Sequence, residues 1–80
     1  MQNRELNSFR FQTDRGKTFF FDIKENKNGR FVKITESRPQ QGDKSGYIRN
    51  SITVPEKFLE EFMGNIKRSM NYFKENKTDA

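Results

Sequence analysis

KTFFFDIKENKNGRFVKITES, residues 17–37, is the stretch whose reading decides the fold. Phe19, Phe21 and Ile23 recur at every second position, and Phe20, Asp22 and Lys24 fill the places between them. A period of two is that of a strand with one apolar face. Asn26-Lys27-Asn28-Gly29 follows as the strongest turn signal in the chain, because Asn and Gly tolerate the positive φ angles that tight hairpins demand. The same period then resumes. Val32 and Ile34 point to the apolar side, and Phe31, Lys33 and Thr35 to the other. The two runs predict an antiparallel hairpin.

Working outward, Ser8 to Gln12 sets Phe9 and Phe11 against Ser8, Arg10 and Gln12, and Asp14-Arg15-Gly16-Lys17 has the makings of a tight turn. On the other side, Ser37 to Gly46 reads as a polar, flexible loop with Pro and two Gly. A fourth strand, Tyr47 to Val54, places Ile48, Ile52 and Val54 inward and Tyr47, Arg49, Ser51 and Thr53 outward, with Asn50 breaking the inner pattern. Pro55 suits a first helical position. After it Phe58, Leu59, Phe62, Met63, Ile66, Met70 and Phe73 form one stripe, which predicts a long amphipathic helix ending near Asn76. The expected fold is α+β: four antiparallel strands and one C-terminal helix in a single domain, residues 8–76. Residues 1–7 and 77–80 read as flexible tails.

Composition narrows the function. A domain of 80 residues is marginal alone and usually needs disulfides, a metal or a second subunit. With neither Cys nor His, disulfides, thiolate metal sites and the commonest zinc ligand are excluded, and no cofactor is expected. Association with a second copy is the remaining remedy. Phe, nine residues of it in a chain only 30% hydrophobic, must dominate the core. No stretch is long and apolar enough to span a membrane, and the polar start MQNRELNS lacks a signal-peptide apolar region. The expected location is the cytoplasm, compatible with the nucleoid.

The formal charge is +5, and residues 1–54 carry it, with eleven Lys and Arg against six Asp and Glu. A basic surface of this kind suits a polyanion such as nucleic acid. One helix covers one side of a sheet, so the other side is left open. Alternation puts Arg10, Phe20, Lys24, Phe31, Lys33, Tyr47 and Arg49 there, a basic surface interleaved with aromatics. Rings can stack on unpaired bases and cations can hold phosphates, which favours single strands over duplexes. Catalysis has little to work with: a few carboxylates, lysines and hydroxyls, no glycine-rich phosphate loop, and no small-molecule substrate implied. Asp22 beside Lys24 reads as a surface pair. The alternative to nucleic-acid binding is a protein–protein interaction module using the same open face.

The segment KTFFFDIKENKNGRFVKITES, with TVPEKFLEEF after the fourth strand, resembles the PUR repeat of the purine-rich element binding, Pur-alpha-like family in its bacterial single-repeat form. The resemblance extends over most of Ser8 to Phe73. It implies a curved four-stranded sheet crossed by a helix, similar in shape to Whirly-type binders, with two repeats exchanging helices. A single repeat would then be an intertwined homodimer. The family binds G-rich or purine-rich single-stranded DNA or RNA, which implies a regulatory role, transcription included. By motif position the contacts would be Lys24, Asn26, Asn28 and Phe31, with Arg30 in the same motif and Lys17 after the first turn. Asn28 stands where the family often has a basic residue.

Overall fold

Four strands, each hydrogen-bonded to its neighbour in the chain, form one antiparallel sheet of order β1-β2-β3-β4, followed by a helix. The strands are β1 (Arg4–Gln12), β2 (Thr18–Asn26), β3 (Gly29–Pro39) and β4 (Tyr47–Pro55). A 3-10 turn, Glu56–Phe58, leads into the helix α1 (Leu59–Glu75). The computed structural model describes residues 3–42 and 45–76. Met1, Gln2, Asp43, Lys44 and Lys77 to Ala80 lie outside that description, including the four residues read as a C-terminal tail.

The first turn closes where expected: the Thr13 amide donates to the Lys17 carbonyl at 2.7 Å, and Arg15 and Gly16 take φ of 65° and 81°. In the second turn the Asn26 side-chain oxygen accepts the Asn28 amide at 2.8 Å, and the positive φ falls on Gly29 at 122°. Asn28 itself does not adopt the left-handed conformation.

Three boundaries differ from the sequence reading. β1 begins at Arg4, so Arg4 to Asn7 are strand and not tail; a register irregularity between Glu5 and Asn7 breaks the alternation that would have announced it. β3 runs on to Pro39, which takes Ser37, Arg38 and Pro39 out of the expected loop, and Ser37 pairs with both Thr18 and Arg49. Pro55 ends β4, with φ −62° and ψ 149°, and is not the first helical residue.

The registers sort the side chains into two faces. Phe9 lies opposite Phe21, Phe11 opposite Phe19, Ile34 opposite both Phe21 and Ile52, and Val32 opposite Ile23 and Val54, so these residues share one face. Phe11 stacks on Phe19 with ring centroids 5.3 Å apart and on Phe21 at 6.0 Å. Leu59, Phe62, Met63 and Ile66 of α1 border this face across an apolar cleft of about 680 Å³.

The expectation that Phe packs a core beneath the helix is not met within one chain. Val54 is the only buried apolar residue among those described, and α1 buries none of its own; Met63, Met70 and Phe73 remain more than half exposed. The Cα radius of gyration is 16.0 Å, against about 12 Å for a compact chain of this length. The accessible surface is 7251 Å², where a folded monomer of this mass exposes about 5,100 Å². The helix stripe was legible, but within one chain it leaves the apolar face of the sheet largely uncovered.

Because Gly29 holds a φ that side chains resist, and no neighbour would meet an added Cβ, Gly29→Ala should act through backbone strain alone. The expected loss is about 1–2 kcal/mol in urea unfolding. An unchanged midpoint would mean that the hairpin turn relaxes freely.

Candidate functional site

The face opposite the apolar one is a grid set by the same registers. Arg10 lies opposite Phe20, Phe20 opposite Thr35, and Thr35 opposite Ser51. One step along, Ser8, Asp22, Lys33 and Thr53 form the next row, and Lys24, Phe31 and Pro55 the row after that. The floor is built of small hydroxyl residues. Thr35 and Ser37 are buried although they face outward, and the hydroxyls of Thr35 and Ser51 are 2.9 Å apart.

Two grooves cross this face and meet at Lys33. The one at the hairpin end, about 440 Å³, is bordered by Lys24, Asn26, Asn28, Arg30, Phe31 and Lys33. The central one is bordered by Arg10, Phe20, Asp22, Lys33 and Arg49, with Thr35 and Ser51 beneath. Nine of the eleven residues singled out in the sequence thus line one or the other groove. Phe20 and Phe31 are half-buried, leaving part of each ring to solvent. They lie on the face turned away from the apolar cleft.

Tyr47 shares the face but not the cluster. It pairs with Pro39, eight residues along β3 from Phe31, or about 26 Å at strand spacing. It is an outlying, exposed ring.

The cations differ in what they are free to do. Arg10, Lys24, Lys33 and Arg49 take part in no ion pair among the described residues. Lys17 is engaged: its ammonium lies 3.0 Å from Glu36 and over the Phe19 ring, on the apolar side of the sheet. Arg30 borders the hairpin groove, yet its Nε and Nη2 both donate to the Glu56 carboxylate. That fork ties the turn to the start of the helical segment. Part of Asn26 is committed as well, through its turn-closing oxygen.

Several residues of the site escaped the sequence reading. Asn3 borders the hairpin groove, but it precedes the irregular part of β1, where no alternation marks it. Pro55 and Thr53 complete the same groove from β4, Thr53 being legible from its outward parity alone. Asp22 is not the surface partner of Lys24. It accepts a hydrogen bond from the Ser8 hydroxyl at 2.7 Å and lies opposite Lys33.

No group of three or more potential metal ligands occurs among the described residues, and none of their helices is long and apolar enough to cross a membrane. The arrangement can stack rings, neutralise phosphates and offer amide and hydroxyl partners to base edges. A family model described as PurA ssDNA and RNA-binding protein matches residues 2–74. Comparison with curated proteins gives no match.

Two of the three ion pairs among the described residues, Lys17–Glu36 and Arg30–Glu56, carry a pH dependence. Hydrogen bonding and charge from Lys17 hold the Glu36 carboxyl below its ordinary value, and the Arg30 guanidinium does the same to Glu56. A carboxyl with a depressed folded-state pKa stabilises fully above its unfolded value and loses that contribution as the pH falls through the folded one. Urea unfolding followed from pH 6 down to pH 3 should therefore show falling stability. Glu36→Gln combined with Glu56→Gln should flatten the profile, and an unaltered profile would remove both pairs from the account.

Proposed function

The chain belongs to the PurA ssDNA and RNA-binding protein family, and from that premise we propose that its outer sheet face and β2–β3 turn hold a purine-rich single strand. The observation that carries the reading is the pairing of two half-buried aromatic residues, Phe20 and Phe31, with four cations that form no ion pair among the described residues. A stacked base contributes about 1–3 kcal/mol, and each phosphate held by Lys or Arg releases counterions. Purines offer the larger ring to stack, which favours purine-rich strands. Bases of a duplex already stack on one another, so the same rings discriminate against double strands.

Two copies form the working unit. The apolar cleft and the exposed stripe of α1 are what a second sheet and a second helix would cover. The surface in excess of a compact monomer is roughly 2,000 Å² per chain, within the range of obligate dimers. Exchange of helices between two such sheets gives the intertwined, Whirly-like homodimer. Its role is regulatory and non-catalytic: it holds single strands exposed during transcription, in the cytoplasm at the nucleoid.

Fluorescence anisotropy with labelled single strands at two salt concentrations tests the reading. Affinity should fall steeply with salt, Phe31→Ala should lose about 1–3 kcal/mol of binding, and Lys24→Ala should reduce the salt slope by about 0.7. Sedimentation of both variants should give twice the chain mass of 9.6 kDa. Salt-insensitive binding would favour a protein partner on this face, and a folded species of single-chain mass would overturn the dimer.

A further inference from the structure

A carboxylate sits in the middle of the basic face. Asp22 occupies the centre of β2, between Ser8 on β1 and Lys33 on β3, and borders the central groove with Arg10, Phe20 and Arg49. An anion there repels the phosphates that those cations would attract. The ordinary explanation is an ion pair, but Asp22 takes part in none among the described residues. What it has is the Ser8 hydroxyl, which donates to Oδ1 at 2.7 Å. That bond orients the carboxylate and leaves Oδ2 available as an acceptor.

Two rings of the face, Phe20 and Phe31, are within a base's reach. Phe20 is two residues back on the same strand and same face, about 7 Å away. Phe31 is the diagonal neighbour across the β2–β3 pairing, at about 7–8 Å. A base stacked on either ring can turn an edge toward Asp22.

We propose that Asp22 reads the Watson–Crick edge of guanine, and so sets which base a strand on this face must carry; the inference rests on the single-strand reading above. An ionised carboxylate only accepts hydrogen bonds. Guanine presents two adjacent donors on that edge, N1–H and the 2-amino group, matching two carboxylate oxygens as a charge-assisted, bidentate pair. Adenine and cytosine place an acceptor ring nitrogen beside their amino group. Thymine and uracil flank a single N–H with two carbonyl oxygens. Each of these other edges turns at least one lone pair toward the carboxylate. Asp22 thus repels phosphates, and of the five bases only guanine offers it two adjacent donors with no lone pair opposed.

The test compares wild type and Asp22→Asn by fluorescence anisotropy on single strands of one sequence, carrying guanine, inosine or 1-methylguanine at the varied positions. Inosine lacks the 2-amino group and 1-methylguanine lacks N1–H. Each replacement should weaken wild-type binding on the order of tenfold, as for a lost hydrogen bond to a charged group. Asn can still accept the Ser8 hydrogen bond, and circular dichroism checks its fold; this variant should bind all three strands alike. Wild type that binds single strands but treats guanine and inosine alike would overturn the role of Asp22 and leave the binding face standing, as would Asp22→Asn that keeps the guanine preference. Wild type that binds none of the strands at low salt would overturn the nucleic-acid reading, and this inference with it.

Discussion

Unbroken period-two pairing through β2, β3 and β4 is the constraint on which everything else in this molecule rests. Phe21, Ile34 and Ile52 are in register, as are Phe20, Thr35 and Ser51. A slip of one residue would move every apolar side chain of a strand to the polar side. The short β2–β3 turn prevents it. Asn26 closes that turn with its side chain and Gly29 supplies the backbone conformation that the turn requires. The same turn therefore fixes the apolar face and sets Phe31 beside Lys24.

The two faces have opposite needs. The apolar one is paved with stacked Phe rings and bordered by a helix that buries none of its own side chains. In water such a surface is unfavourable by roughly 25 cal/mol for each square ångström left uncovered, and a chain this small has little stability to set against that. The polar face is the reverse. The floor hydroxyls of Thr35 and Ser51 are paired, the cations Arg10, Lys24, Lys33 and Arg49 form no ion pair among the described residues, and Phe20 and Phe31 are only half-buried. A sheet built this way has one side that calls for an apolar cover and another that stays polar and open.

Much of this was legible from residue order. The β2–β3 hairpin could be read because Phe, Ile and Val keep strict phase across a strong turn, and the outward set from Arg10 to Arg49 followed from the same phase. The start of β1 could not, because the irregularity near Leu6 breaks the alternation. Nor could the engagement of Lys17 and Arg30. Each finds its carboxylate far away in sequence, in Glu36 and Glu56, and a list of basic residues does not distinguish a paired cation from an open one. The helix illustrates the deepest limit. Its stripe at helical spacing announces an apolar surface to be covered, but periodicity does not say whether the cover comes from the same chain.

The central claim is that the single strand lies on the face carrying Phe20, Phe31 and the cations Arg10, Lys24, Lys33 and Arg49, away from the apolar cleft. Titration of the isotope-labelled protein with a purine-rich oligonucleotide, followed by NMR, tests it residue by residue. The account predicts chemical-shift changes that cluster at Arg10, Phe20, Lys24, Asn28, Phe31 and Lys33. Changes centred instead on Phe11, Phe19, Ile66 and the rest of the cleft would contradict it.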